Sequence, residues 1–196
     1  MASINASTSG AGGVITTADN TGTLQLQSGG TTIATVSSTG LALNAGNITL
    51  PSGAAPAFSA YNNANQTLNN NTSYKVLFQV EEFDTNSNFA NSRFTPTVEG
   101  YYQLNAEVRL DGVSGTGEMM IVIWKNGSGY KRGTNQQGTQ IAANFWAMQV
   151  SSVVYANGTS DYFEIYVQQG LGSSVTVTAV NAAAITWFNG CMLRGA

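Results

Sequence analysis

A chain of 196 residues has room for one full domain and a smaller additional piece. Charged residues make up only 9% and hydrophobic ones 42%, the reverse of a disordered chain, and a net charge of -3 leaves no basic footprint for nucleic acid. The absence of histidine excludes the ordinary serine or cysteine triad and any imidazole metal site.

The opening text, "MASINASTSGAGG", lacks the basic flank and apolar core of a secretory leader. No later apolar run is long enough to span a membrane as a helix. The expectation is a protein made and kept in a cytoplasm until something releases it, with no membrane partner. Asp19 is the only charged residue from the start through Ser73. Short strand-like pieces follow one another here: Thr23 to Gln27, Thr31 to Val36, Leu41 to Ala45 and Asn47 to Leu50, divided by Gly and Ser. The apolar positions are Ile4, Val14, Ile15, Leu24, Leu26, Ile33, Val36, Leu41, Leu43, Ile48 and Leu50. So few apolar side chains cannot easily offset the ordering entropy of about 55 residues. Either the segment is disordered or other chains complete it. The β-branched alternation favours completion by assembly, and the lack of charge suits contacts that would leave ions unpaired. Residues 1–56, through "PSGAAP", therefore read as a stem or foot whose apolar residues contact sister chains or a larger surface.

From Ala57 to Ala196 the chain reads as a single all-β domain. Candidate strands are Ala57 to Tyr61, Tyr74 to Phe83, Gly100 to Leu110, Glu118 to Asn126, Asn144 to Ala156, Asp161 to Gln169, Ser173 to Asn181 and Ala183 to Leu193. Turn text separates them, including "KNGS", "ANGTSD" and "QGLGSS", so Asn126-Gly-Ser and Asn157-Gly-Thr read as turns rather than glycan sites. The plainest alternation follows Gly100: Tyr102, Leu104, Ala106, Val108 and Leu110 share one face, and Gln103, Asn105, Glu107 and Arg109 the other. Short strands at this spacing, with no helical period, give a sandwich or barrel. "EMMIVIW", "NFWAM" and "ITWF" are apolar on both faces. They are either central strands of a two-sheet core or strands that face a core on one side and sister chains on the other.

Six stretches in order carry a family resemblance: "AFSAY", "YKVLFQVEEFDTNSNF", "SRFTPTVEGYYQLNAEVRL", "IVIWKNGS", "VVYANGTSDYFEIYV" and "WFNGCML". Together they resemble the globular head domain of complement's first component, a jelly roll similar to the tumour necrosis factor fold. The resemblance spans nearly all of residues 57–196, departs from the family in a longer turn before Asp161, and lacks a collagen-like Gly-X-Y stalk. It implies a jelly-roll β-sandwich assembled as a compact homotrimer. The signature and core residues it marks are Phe58, Phe78, Phe94, Gly100, Tyr102, Leu104, Asn126, Gly127, Asp161, Phe163, Phe188 and Gly190, with Trp124, Phe145, Trp146 and Trp187 as candidate trimer contacts.

The low-charge first region resembles the leading segments of many tailed-phage virion proteins, as in "ADNTGTLQLQSGGTTIATVSSTG". The two resemblances imply a homotrimeric capsid decoration, or cement, protein. Its partners would be itself and a major capsid or other virion protein, and its place the surface of the phage particle. A foot of about 55 residues is too short for a long fibre shaft even when extended. The alternative is a short tail fibre whose head recognises a host surface ligand. A bacterial surface or spore-coat trimer is more distant, and a depolymerase comes last.

Chemistry is sparse, and no catalytic residue, cofactor or metal is expected. Glu81, Glu82 and Asp84 form the densest carboxylate group, but adjacent strand residues point to opposite faces and do not share one ion. Cys191 is alone and reads as a small core residue. Tyr130-Lys131-Arg132 reads as a hairpin tip, and Asn135 to Gln140 as a polar loop. Trp124, Phe145, Trp146, Trp187 and Phe188 could stack sugars, although aromatic residues on strands more often fill cores.

Overall fold

The computed structural model describes residues 23–28, 30–44, 55–142, 144–179 and 184–196. Ile4, Val14, Ile15, Ile48 and Leu50 lie outside these residues, as do the expected strand at Asn47 to Leu50 and the positions Asn181 and Ala183. The chain divides into two units, Met1–Thr49 and Leu50–Ala196. Among the described residues every regular element is a strand.

In the first unit, β1 (Leu24–Ser28), β2 (Thr31–Ser37) and β3 (Gly40–Leu43) form an antiparallel meander. The register sets Leu24 beside Val36 and Val36 beside Leu41; it also sets Leu26 beside Ala34 and Ala34 beside Leu43.

The second unit contains β4 (Ala57–Tyr61), β5 (Gln66–Leu68), β6 (Thr72–Lys75), β7 (Val80–Asp84), β8 (Phe89–Ala90), β9 (Arg93–Phe94), β10 (Gly100–Asp111), β11 (Ser114–Lys125), β12 (Ser128–Ala142), β13 (Phe145–Ala156), β14 (Phe163–Gln169), β15 (Val175–Val177) and β16 (Trp187–Gly195). One sheet runs β5-β15-β10-β16-β4-β7, with β13 along the other edge of β10. The second runs β12-β11-β14-β9-β8, with β6 also on β14. The sheets enclose one core, which makes the unit a jelly-roll sandwich. Midway along β12 the two sheets are stitched together: the Gln149 amide donates to Thr134 Oγ1, which donates to the Gln149 carbonyl, both at 3.1 Å.

Alternation along β10 places Tyr102, Leu104, Ala106, Val108 and Leu110 in the core. Phe58 stacks on Phe94 and Phe89 with ring centroids 4.3 and 4.9 Å away, and Phe188 meets it edge-on at 4.9 Å. Tyr102 is fully buried, and its hydroxyl donates to the Val98 carbonyl at 2.6 Å. Burial pushes the phenol up to about 12, so it stays a donor at any ordinary pH. Gly190 lies under these rings. A Cβ there would stand 2.5 Å from Leu104 Cδ2 and 2.9 Å from Phe58 Cε1. At the β11–β12 hairpin, Asn126 and Gly127 have φ of 53° and 80°, the geometry that an Asn-Gly pair supplies to a two-residue turn.

Three expectations are corrected. Tyr74 to Phe83 is not one strand: β6 pairs with β14 and β7 with β4, so residues 76–79 cross from one sheet to the other. Val76 still donates to the Ile165 carbonyl of β14 at 2.8 Å; beyond it side chains replace the ladder. Gln66 accepts from the Leu77 amide at 3.2 Å and donates to the Lys75 carbonyl at 2.7 Å, while Ser92 Oγ accepts from the Phe78 amide at 2.8 Å. Asn135 to Gln140 is not a loop but part of β12, paired with β11 through three register shifts; Tyr130-Lys131-Arg132 follows the hairpin turn inside the same strand. Cys191 is not a core residue. It pairs with Gln103 and Ala57 in outward register and is exposed.

Candidate interaction surfaces

Three surfaces carry side chains that the fold itself does not consume. The first is the outer face of the sheet containing β13, β10, β16 and β4. Pairing sets Gln103 beside Val153, Asn105 beside Ser151 and Asn189, and Tyr101 beside Tyr155 and Arg194. The middle is a neutral ladder. Gln103 Nε2 donates to Asn105 Oδ1 and Ser151 Oγ, each at 2.9 Å, Ser151 Oγ donates to Asn105 Oδ1 at 2.8 Å, and Asn105 Nδ2 donates to Asn189 Oδ1 at 3.1 Å. At one end Tyr101, Val153 and Leu193 line a shallow depression together with Arg194, and the three apolar residues remain exposed. At the other end Arg109 pairs with Asp111 at 2.7 Å and lies 4.2 Å above the exposed ring of Phe145.

The second surface is the outer face of the sheet containing β12, β11 and β14. Val122 lies opposite Tyr166, and Met120 opposite Gln168. Trp124 stacks on Tyr166, with centroids 3.9 Å apart and ring planes 15° apart. These side chains border a groove of about 360 Å³ that Ser73, Tyr130 and Arg132 complete. Beside it, the buried Glu164 accepts from Lys75 Nζ at 2.8 Å and Arg93 Nε at 2.9 Å through the same oxygen, and Arg93 lies 3.8 Å over the Tyr162 ring. Burial opposes ionisation of Glu164, but the two cations outweigh it and hold its carboxyl below the ordinary range. Asp161 behaves alike. Burial works against its charge, and Lys125 at 2.8 Å together with Asn126 Nδ2 at 2.8 Å more than restores it.

The third surface belongs to the first unit. Leu24, Val36, Leu41, Leu26, Ala34 and Leu43 share one face of the three-stranded sheet, and all but Ala34 are exposed, Leu41 by 62%. Ile33 is exposed as well, on the opposite face by alternation.

The residues singled out from sequence disperse among these places. Phe58, Phe78, Phe94, Tyr102, Leu104, Phe163 and Phe188 are buried, Gly100 and Gly190 lie where strands approach closely, and Asn126, Gly127 and Asp161 form one turn network. The four candidate trimer contacts do not share one surface. Trp124 borders the groove, Trp146 packs against the core, and Phe145 and Trp187 lie on the β10 sheet. Asp84 accepts from the Phe89 amide at 2.7 Å and Glu82 from Ser59 Oγ at 2.6 Å, so these carboxylates serve local structure. Among the described residues no three His, Cys, Asp or Glu side chains converge to hold a metal. Sequence reading missed the groove residues Ser73, Tyr166 and Gln168 and the ladder partners Ser151 and Asn189. Their signal is alternation along β6, β13, β14 and β16, which only the strand pairing turns into a surface.

No protein-family model matches this chain, and no curated protein matches it in sequence. Solved structures do resemble it. Murine APRIL at pH 5.0 is 10% identical, with a TM-score of 0.50 over 71% of this chain and 99% of that one. Eiger TNF from S. frugiperda is 8% identical, with a TM-score of 0.48 over 72% and 93%. The likeness to APRIL, joined to the strand order described above, shows that the second unit is an all-β jelly roll of the tumour necrosis factor type.

Proposed function

We propose that this chain is a non-enzymatic structural protein of a tailed-phage particle. It is a homotrimer that decorates the capsid, with residues 1–56 as the foot on the shell and the jelly roll as the outward head. The observation that carries this reading is the apolar face of the first unit, set in a stretch without charge between Asp19 and Lys75. A lone three-stranded ribbon with its apolar face open to water lacks a second layer, and a large partner surface supplies one. Self-association is supported by the outer face of the β10 sheet. Its amides are already hydrogen-bonded to one another, and beside Arg194 at one end Tyr101, Val153 and Leu193 leave apolar surface exposed. Three feet on one trimer then multiply modest contacts into firm attachment.

Imaging of intact particles carrying labelled protein tests the reading. Many copies over the head, and heads weakened to heat or low salt when the protein is lost, are the expected results. Few copies at the tail, with lost adsorption and unchanged heads, would overturn it in favour of the short tail fibre that the groove on β11 and β14 would suit. Native mass measurement of the full chain should give a trimer, and Val153→Lys with Leu193→Lys should give a folded monomer.

A further inference from the structure

We infer that the groove on β11 and β14 is a binding site for an acidic saccharide, a sugar ring that carries a carboxylate. The inference is independent of whether the protein decorates a head or a tail.

The groove joins two chemistries. Met120 and Val122 supply apolar surface, and the stacked Trp124 and Tyr166 add the edges and faces of two rings. The C–H face of a pyranose packs on such surface, whereas a hydrated ion does not. Around it stand donors that the fold leaves over. Among the described residues the Trp124 Nε1–H, the Tyr166 and Tyr130 hydroxyls and the Gln168 Nε2 have no hydrogen-bond partner within the protein, and Gln168 uses only its oxygen, accepting from Ser73 Oγ at 3.2 Å. An apolar peptide would cover these donors and leave them unpaired, a cost that sugar hydroxyls avoid by accepting from them.

The charge at the rim sets the kind of sugar. Arg132 stands 3.8 Å from Glu118, beyond hydrogen-bond distance, and its side chain is 55% exposed. Its fork of N–H groups is therefore open to a carboxylate, while Glu118 beside it keeps the local charge too small to suit a polyanion. The groove is open at Gly129, where a Cβ would meet only Trp124 Nε1 and Val122 Cγ1, both at the ordinary distance of 3.8 Å. A side chain there starts at the groove wall, its Cβ in ordinary contact with side-chain atoms alone.

The test uses the full-length protein with glycans ending in galacturonate, glucuronate or sialate, their neutral counterparts, and a Glu-Glu dipeptide. Binding is read by indole fluorescence and saturation-transfer NMR. At least one acidic glycan should bind, with its neutral counterpart weaker by about tenfold or more, as loss of a charge-assisted fork requires. Gly129→Leu should abolish binding of both, and Arg132→Gln should reduce the acidic glycan to the neutral level. If Leu at position 129 lowers the melting temperature, Ser73→Leu blocks the groove from the β6 side and should give the same loss. The proposal is overturned if no acidic glycan binds. Unchanged affinity in the blocked variants, equal affinity for neutral glycans, or equally tight binding of the dipeptide overturns it too.

Discussion

Glu164→Gln removes the one charge that holds three elements together. The wild-type carboxylate has a side chain only 4% exposed, and a single oxygen receives Lys75 from β6 and Arg93 from β9. The substituted amide keeps an acceptor at that point but loses the charge, leaving two cations about one neutral oxygen. Breaking a fully buried pair costs about 3–5 kcal/mol. Here Lys75 is 25% and Arg93 42% exposed, so both regain part of their hydration, and a loss of about 2 kcal/mol is expected. For a domain of this size that is a fall of roughly 4–8 °C in melting temperature. The pH dependence separates this cause from generic damage. Because the folded carboxyl titrates below its ordinary value of 4.5, its stabilisation is complete above that value and is lost as pH falls through the depressed one. Urea unfolding at pH 7 should therefore show the full gap between wild type and variant, and unfolding in strong acid a much smaller one. A gap that stays constant across that range would refute the ionic account and leave only packing.

Gly190→Ala places a Cβ 2.5 Å from Leu104 Cδ2 and 2.9 Å from Phe58 Cε1 and should cost about 1–3 kcal/mol in urea unfolding, through overpacking beneath the aromatic cluster. Tyr102→Phe strands the Val98 carbonyl and should cost about 1 kcal/mol, with near-ultraviolet dichroism otherwise retained. Leu41→Lys alters an exposed position and should leave the melting of the purified chain within about 0.5 kcal/mol, yet abolish attachment to particles, because attachment would bury the ammonium.

Much of the jelly roll was legible where one residue type alternates with another. The expected strand at Ala57 to Tyr61 coincides with β4, Gly100 to Leu110 differs from β10 by one residue at its end, and Asn144 to Ala156 differs from β13 by one at its start. Legibility failed where side chains do the backbone's work. Residues 76–79 look like strand because Val76 and Phe78 are apolar and buried, but after Val76, which still bonds β14, Gln66 and Ser92 take the hydrogen bonds of the Leu77 and Phe78 amides that a neighbouring strand would have made. β12 failed for the opposite reason: its text, interrupted by Gly and rich in Lys, Arg, Asn and Gln, has little β character, and pairing with β11 holds it extended. Cys191 was misplaced because "WFNGCML" is apolar on both phases of the alternation, and only the register against Gln103 decides which phase faces water. The aromatic residues show the same limit. Sequence placed Trp124 and Trp187 together as candidate contacts, and the topology puts them on different sheets.

The distribution of cations explains why the two outer faces should serve different partners. Lys75, Arg93, Lys125, Lys131 and Arg132 all lie on the sheet of β12, β11 and β14, while the β10 sheet has only Arg109 and Arg194. These two sit toward opposite ends of β10, Arg109 bound to Asp111 and Arg194 5.5 Å from the Tyr101 ring; between them lie the neutral amide ladder and Glu107, which accepts from Gln149 Nε2 at 2.6 Å. Covering that ladder with a sister chain removes little hydration that is not already replaced, since its amides bond to one another before any partner arrives. Covering the other outer face would strip water from Lys75, Arg93 and Arg132, a desolvation cost that attraction across the interface recovers only with well-placed counter-charges. A homotrimer brings identical faces and thus no such counter-charges beyond Glu118, Asp161 and Glu164, of which the last two are already engaged by Lys125, Lys75 and Arg93. On the proposed trimer the β10 sheet, whose outer Glu107 already accepts from Gln149 Nε2 at 2.6 Å, would therefore be the face suited to self-association, and the sheet of β11 and β14, with its open groove, the one left to meet a ligand.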